Sequence, residues 1–371
     1  MGADVDVVVI GAGAVGLACA ARLARAGRAP LIVERRGGVG EETSARNSGV
    51  IHAGLYYAPG SHKARHCVEG RARLYARCER ERLPHLRCGK LLVACDESER
   101  AQLEALHARG LQNGAGALRL LDAAELRRLE PRVRALAALL SPETGIVDAH
   151  ALVQSYKREA LAHGAALALH TGLEALEPAP GGLRIHTRGQ AGERAQLTAA
   201  WVVNAAGLQA DRVAALAGLD IDALGYRQHF CKGDYFALAP ALRGVVQRLV
   251  YPVPVQAGLG IHITLDLAGA LRAGPDVEYV PAPRYDVDAR KAAVFGAALR
   301  RYLPEVRDEQ LFPDYAGVRS KLQASGAPPR DFAIEETSPH GVPGPVNLIG
   351  IESPGLTASE AIAEQVATLV R

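Results

Sequence analysis

Val7-Val8-Val9-Ile10-Gly11-Ala12-Gly13-Ala14-Val15-Gly16 is the stretch on which the fold turns. The first four residues are β-branched with no polar break, the pattern of a strand buried on both faces. Gly11, Gly13 and Gly16 follow with G-x-G-x-x-G spacing. The first permits a tight turn, the second lets a pyrophosphate approach the backbone, and the third lets helix and strand pack closely. An Ala/Leu-rich helix is predicted to run on to Ala26-Gly27, and Leu31-Ile32-Val33-Glu34 reads as a second strand. Glu34 lies 18 residues after Gly16, where a carboxylate can accept from both hydroxyls of a ribose. Strand, helix, strand and acid together specify a dinucleotide-binding β-α-β unit. The unit by itself does not separate FAD from NAD.

Two segments further along the chain make that separation. Trp201 to Gly207 is another buried strand that ends in glycine and returns the chain to the nucleotide domain. Val346 to Gly350 is a last strand, and Gly350-Ile351-Glu352-Ser353-Pro354-Gly355-Leu356-Thr357 leads into a last helix to Val370. Amides at such a turn suit the electron-rich edge of a flavin, for which NAD has no counterpart. Between these segments, helices are expected at Arg65–Glu81, Ser98–Arg109, Ala123–Leu129, His150–His163 and Asp288–Leu303. Strands are expected at Leu91–Ala94 and Leu167–Leu176, and an antiparallel sheet from Gly225 to about Val280. The arginines of Arg65–Glu81 read as a solvated face. Ser141 to Asp148 is turn-rich and reads as a domain crossing.

Lys plus Arg number 43 and Asp plus Glu 40, a net charge of +3. That balance, with no interleaving of aromatic and basic residues, argues against a nucleic-acid partner. The six cysteines, Cys19, Cys67, Cys78, Cys88, Cys95 and Cys231, form no C-x-x-C pair and stand at no zinc-ligand spacing, so no metal is expected. Reduced thiols suit a cytoplasmic setting, and a peripheral seat on a membrane is compatible with it. No signal peptide is read at the start. The apolar stretch Val5–Ala21 carries Asp6 and the motif's glycines, so no transmembrane segment is expected.

The three FAD segments resemble the D-amino-acid-oxidase superfamily of flavoproteins. Within it the chain is similar to the L-2-hydroxyglutarate dehydrogenase/oxidase family. Thr43-Ser44-Ala45-Arg46-Asn47-Ser48-Gly49-Val50-Ile51-His52-Ala53-Gly54-Leu55-Tyr56-Tyr57 is close to that family's signature. Cys88–Leu91, Thr144–Asp148, Lys232–Tyr235, Tyr251–Pro254, Gly260–Thr264 and Gly317–Arg319 extend the likeness, in order, over the whole chain. The chain departs from the family's best-known members at Lys232, where they carry Arg, and is shorter than they are between Pro281 and Leu311. The resemblance implies an α/β fold. A Rossmann-like, glutathione-reductase-type FAD domain is expected from residues 1–85, 145–215 and 320–371. Residues 86–144 and 216–319 are expected to form an α+β substrate domain whose antiparallel sheet roofs the flavin.

The same resemblance implies FAD contacts at Gly11, Gly13, Gly16, Glu34, Thr43, Ser44, Asn47, Ser48, Gly49 and Val50. It extends them to Leu173, Ala206, Gly207 and Asp211, and to Gly350, Ser353, Pro354, Gly355, Leu356 and Thr357. The implied reaction is oxidation of an L-2-hydroxy acid, favourably L-2-hydroxyglutarate to 2-oxoglutarate, with hydride passing to flavin N5. His262 is the first candidate base, an imidazole near its ordinary pKa accepting the hydroxyl proton. Read without the resemblance it is a core histidine with a backbone partner. His52 reaches the flavin edge or is structural. Arg319 offers a planar fork to the C1 carboxylate or is one more surface arginine. Lys232, Tyr235 and Tyr251 are further substrate candidates, the first two for a distal carboxylate. Glu352 is either a solvated loop acid or a neighbour of the flavin. The expected partner is a small 2-hydroxy mono- or dicarboxylate. The electron acceptor stays open among oxygen, a quinone and a carrier protein. An amine or amino-acid oxidase and a glycerol-3-phosphate dehydrogenase share the scaffold. An FAD protein acting on tRNA or sensing redox state is the alternative from another class.

Overall fold

A computed structural model of the chain describes residues 2–254 and 260–371. Two large sheets carry the fold, and a cavity between them is lined by residues of both. The first has eight strands. Its centre is Val5–Ile10, paired in parallel with Leu31–Val33 on one side and with Arg194–Asn204 on the other. Ala166–Ala168 extends it in parallel beyond Leu31–Val33, and Pro345–Ile349 runs parallel to the end of Arg194–Asn204. Val7, Val8 and Val9 are fully buried, as an unbroken apolar run on a sheet covered on both faces should be. Helix Ala14–Arg25 packs on this sheet against helices Ala149–Ala162 and Gly355–Leu369.

The second sheet has nine strands and roofs the cavity. His229–Leu238 is bonded along one edge to Leu311–Lys321 and along the other to Glu278–Val280 and Leu271–Ala273. The order then continues through Ile263–Leu265, Leu249–Pro252, Lys90–Ala94, Ala137–Ser141 and Arg119–Asp122. This sheet is mixed and not wholly antiparallel, because Leu249–Pro252 runs parallel to Lys90–Ala94. A small sheet joins Val50–Ile51, Gly145–Val147 and His85–Leu86.

Three expectations are corrected. The strand read over Leu167–Leu176 is two strands, Ala166–Ala168 and Gly172–Ala179, broken where His170 takes a φ of +52°. The first pairs with Leu31–Val33, and the second turns into a hairpin with Gly182–Arg188. The helix read over Asp288–Leu303 is a short 3₁₀ turn followed by Ala292–Arg300. The charges of helix His62–Glu81 are not all solvated. Arg77 is buried and bonds Glu81, Glu159, Glu360 and the Ser155 hydroxyl, tying this helix to two others. No helix among the described residues is long and apolar enough to cross a membrane.

Candidate active site

Two cavities that share Gly13, Thr43, Ser44, Ala205 and Gly207 adjoin one another and together make up the site cavity, and its nucleotide end is built by the first β-α-β unit. Gly11 has a φ of +101°, and a Cβ there would sit 2.5 Å from the Ala205 carbonyl oxygen. A Cβ on Gly16 would lie 2.0 Å from the Gly11 oxygen, so helix and strand meet there backbone to backbone. Gly13 differs. A Cβ on it would approach only the Ser44 hydroxyl, at 3.2 Å, and would otherwise project into the cavity. The Glu34 carboxylate is held at this end by the Ala12 and Arg36 amides, each at 2.8 Å. Leu173, Ala206 and Gly207 line the same end.

Ser44 accepts a hydrogen bond from the Ala14 amide at 2.9 Å, and the Thr43 hydroxyl donates to the Val318 carbonyl at 3.3 Å. Asn47 folds its own turn, donating to the Ser44 carbonyl and accepting from the Gly49 amide. Thr43, Ser44, Asn47, Ser48 and Val50 thereby form one wall. Ser353, Pro354, Gly355, Leu356 and Thr357 also line the cavity, and the Thr357 hydroxyl joins them to the first wall by donating to the Val50 carbonyl at 3.2 Å. The helices Ala14–Arg25 and Gly355–Leu369 both open onto the cavity with no side-chain cap and no acid in the first turn. Their N-terminal ends, with the positive end of the helix dipole, favour negative charge. Space at Gly13, an acid at the ribose position and two uncapped helix starts fit a dinucleotide carrying a flavin.

The far end lies under the nine-stranded sheet. Arg319 lines the cavity, and its guanidinium donates to the carbonyls of Cys231, Lys232 and Asp276 at 3.3, 3.2 and 2.7 Å. It has no acidic partner among the described residues, so its charge faces the cavity uncompensated. Gly233 allows this, since a Cβ there would lie 2.8 Å from Arg319 Nη2. His262 is buried and stacks on Tyr251 with ring centroids 3.7 Å apart. Its Nδ1 sits 3.1 Å from the Gly260 carbonyl, which assigns the proton to Nδ1 and leaves Nε2 as an acceptor. Burial pushes this imidazole down to about 3, and Lys90 and Arg319 push the same way. The expectation of an ordinary histidine pKa is therefore corrected. His52 also lines the cavity, with Nε2 3.2 Å from the Ser353 hydroxyl. Burial, then Lys90 and His262, hold it well below the usual range. Tyr235 stacks on Tyr315 at 4.5 Å and meets Ser48 at 3.4 Å.

Lys232 is not part of this wall. Its ammonium is buried 2.7 Å from Asp234, in a cluster with Asp276, Glu278 and Lys291, and is not available to a carboxylate in the cavity. Asp211 accepts from the Gln228 amide, and Gly350 donates to the Gln228 side chain. Neither they nor Gly49, packed on the Val147 carbonyl, line the cavity. Glu352 resolves towards the cavity. It is buried there between Lys63 at 3.0 Å and Lys321 at 2.8 Å. Burial alone would raise its carboxyl, but the two lysines outweigh that and hold it below the usual value. Arg46, which lines the cavity and lies 4.3 Å from the Tyr285 ring centroid, went unmarked in the sequence. So did Lys90, buried behind Tyr251. Their only signal was membership of the quoted motifs.

Over residues 6–369 the chain matches the family described as FAD dependent oxidoreductase, DAO. It is 39% identical to the mitochondrial L-2-hydroxyglutarate dehydrogenase of Arabidopsis thaliana, over 98% of this chain and 83% of that one. It is 29% identical to the L-2-hydroxyglutarate dehydrogenase of Indibacter alkaliphilus, over 97% of each. Among solved structures it is similar to the FAD-bound, dithionite-reduced L-alpha-glycerophosphate oxidase of Mycoplasma pneumoniae. The TM-score is 0.86 and the identity 25%, over 98% of this chain and 94% of that one.

Proposed function

The chain belongs to the FAD-dependent oxidoreductase family, and from that premise we propose that it oxidises an L-2-hydroxy acid, L-2-hydroxyglutarate, to the 2-oxo acid. The observation that carries the reading is Arg319, a guanidinium without an anionic partner among the described residues, in the same cavity as two neutral histidines. That combination asks for a substrate with a carboxylate beside a hydroxyl. The names of the relatives support the same substrate.

FAD, when bound, supplies the two-electron acceptor. Arg319 holds the C1 carboxylate with charge-assisted bonds and so fixes which face of C2 is presented. His262 Nε2 accepts the hydroxyl proton, and the Gly260 carbonyl on Nδ1 holds the ring in the accepting tautomer. The backbone bonds from Cys231, Lys232 and Asp276 keep the guanidinium in place before substrate arrives. Burial of both histidines keeps water from competing for the proton. Lys63 and Lys321 keep Glu352 ionised beside the Ser353–Thr357 wall.

The test is anaerobic mixing of the purified yellow protein with L- and D-2-hydroxyglutarate, glycerol 3-phosphate, glycine and sarcosine, following the flavin absorbance. Bleaching by L-2-hydroxyglutarate well ahead of the others is expected. Preferential bleaching by an amine or by glycerol 3-phosphate overturns the assignment and leaves the family membership untouched.

A further inference from the structure

Lys90 is a fully buried lysine whose ammonium has no hydrogen-bond partner among the described residues. Burying an unpaired cation is costly, and proteins seldom keep one without a use for it. The Tyr56 hydroxyl and His52 Nδ1 are likewise buried and without partners among the described residues. All three groups lie at one corner, where the Lys90 ammonium and Tyr56 stand directly behind the cavity-lining His52 and Tyr251. The ammonium lies 4.6 Å from the Tyr56 ring centroid and 4.8 Å from that of Tyr251. His262 covers one face of Tyr251 at 3.7 Å, so the ammonium lies over the other. The parallel register sets Lys90 beside Leu249 and Leu92 beside Tyr251. With side chains alternating along each strand, Lys90 and Tyr251 share one face of the roofing sheet.

We propose that Lys90, with the Tyr56 hydroxyl, binds the second carboxylate of the substrate and makes the site select a 2-hydroxydicarboxylate over a 2-hydroxymonocarboxylate. This rests on the reading of the cavity as a 2-hydroxy-acid site. Along the column of rings, His262 is separated from the Lys90 ammonium only by Tyr251. In an extended five-carbon diacid, C2 and the distal carboxyl carbon are about 3.9 Å apart by standard bond lengths. The hydroxyl at one end, the carboxylate oxygen at the other and a hydrogen bond to each extend the reach to roughly 8–10 Å. That reach is comparable with the stack it must run alongside, in which the His262 ring and the Lys90 ammonium lie 3.7 and 4.8 Å from the Tyr251 ring centroid. A carboxylate here satisfies two orphaned donors at once. Arg319 and Lys90 flank the histidine as two cations match two carboxylates, and His262 feels both charges, that of Lys90 more strongly.

The ammonium also titrates in a useful range, since burial pushes it down to about 7 with Cys67 opposing. The groups facing it are Cys67 from helix His62–Glu81, His52 and Tyr56 from the segment after Val50–Ile51, and Tyr251 and His262 from the sheet. All are neutral near that pH. Preference for the diacid therefore falls as pH rises through about 7 and the cation is lost.

The experiment compares kcat/KM of the holoenzyme for L-2-hydroxyglutarate and for L-2-hydroxyvalerate, which keeps the chain length and lacks the second carboxylate. In Lys90→Met the ratio should fall about 10- to 150-fold, the worth of one charge-assisted bond. Tyr56→Phe should lower it a few-fold. Glutarate, titrated against the flavin spectrum, should bind wild type more tightly than valerate does, and Lys90→Met should erase the difference. An unchanged ratio with unchanged glutarate affinity overturns the proposal. If Lys90→Met does not retain FAD, the wild-type ratio against pH decides, and a flat ratio across pH 7 overturns it. If wild type is reduced by neither hydroxy acid, the 2-hydroxy-acid reading fails, and the glutarate titration still judges Lys90.

Discussion

Arg319 and His262 were both visible as residues in the sequence, yet what makes each of them useful is contributed by residues far from it in the chain. Arg319 gives its donors to three carbonyls and, among the described residues, to no carboxylate. Arg319→Ala should lower kcat/KM for L-2-hydroxyglutarate about 10- to 150-fold and leave the FAD content unchanged. Arg319→Lys should recover only part, because an ammonium cannot make the bidentate pair. Equal kinetics in wild type and Arg319→Ala place the residue outside the site. For His262 the sign of the shift sets the pH profile. A depressed pKa means that the neutral, accepting form persists from high pH down to about 3. Flavin reduction at saturating substrate should therefore show no inflection from this group across roughly pH 5–8. His262→Ala should slow that reduction by about 10²–10⁴-fold. An inflection near the ordinary histidine value, abolished in His262→Ala, rules out the buried neutral base. A normal reduction rate in the variant passes the role to His52.

Among the elements, the turn Gly11–Gly16 separates what the fold needs from what the cofactor needs. A side chain on Gly16 collides with the Gly11 carbonyl, whereas one on Gly13 meets mainly empty cavity. Gly13→Val should therefore give a folded protein that does not retain flavin. Gly16→Val should lower the melting temperature of the apoprotein itself. Thermal melts of the two apoproteins beside their flavin absorbance decide the matter, and a yellow Gly13→Val protein contradicts the placement of the pyrophosphate. The long helices and the first strands were legible because their periodicity is local. Leu311–Lys321 was not. It carries Pro313, Asp314 and Gly317, poor strand formers, and is a strand because His229–Leu238 pairs with it over most of its length. The break at His170 is equally non-local, since its two flanking strands answer to different neighbours.

At the scale of the whole molecule, the cavity takes its walls from both sheets, so a bound dinucleotide should join them in stability. Added FAD should raise the melting temperature of the apoprotein in a concentration-dependent way, with a stabilisation of about 2.7 kcal/mol at a hundredfold excess over Kd. Melting that ignores FAD argues that the two sheets unfold independently of the site. By itself the sequence determined the β-α-β unit and the FAD class, which rest on spacing within short segments, where glycine geometry acts over one turn. Arg319, His262 and His52 were candidates only by the family resemblance. The tertiary structure alone decided which cations are free. Lys232, read as a substrate cation, is neutralised by Asp234, while Lys90, unmarked in the sequence, has no such partner among the described residues. Glu352 is ionised by lysines 289 and 31 positions away. A charge's fate depends on what lies within a few ångströms of it after folding, and strand register, not sequence distance, sets that neighbourhood.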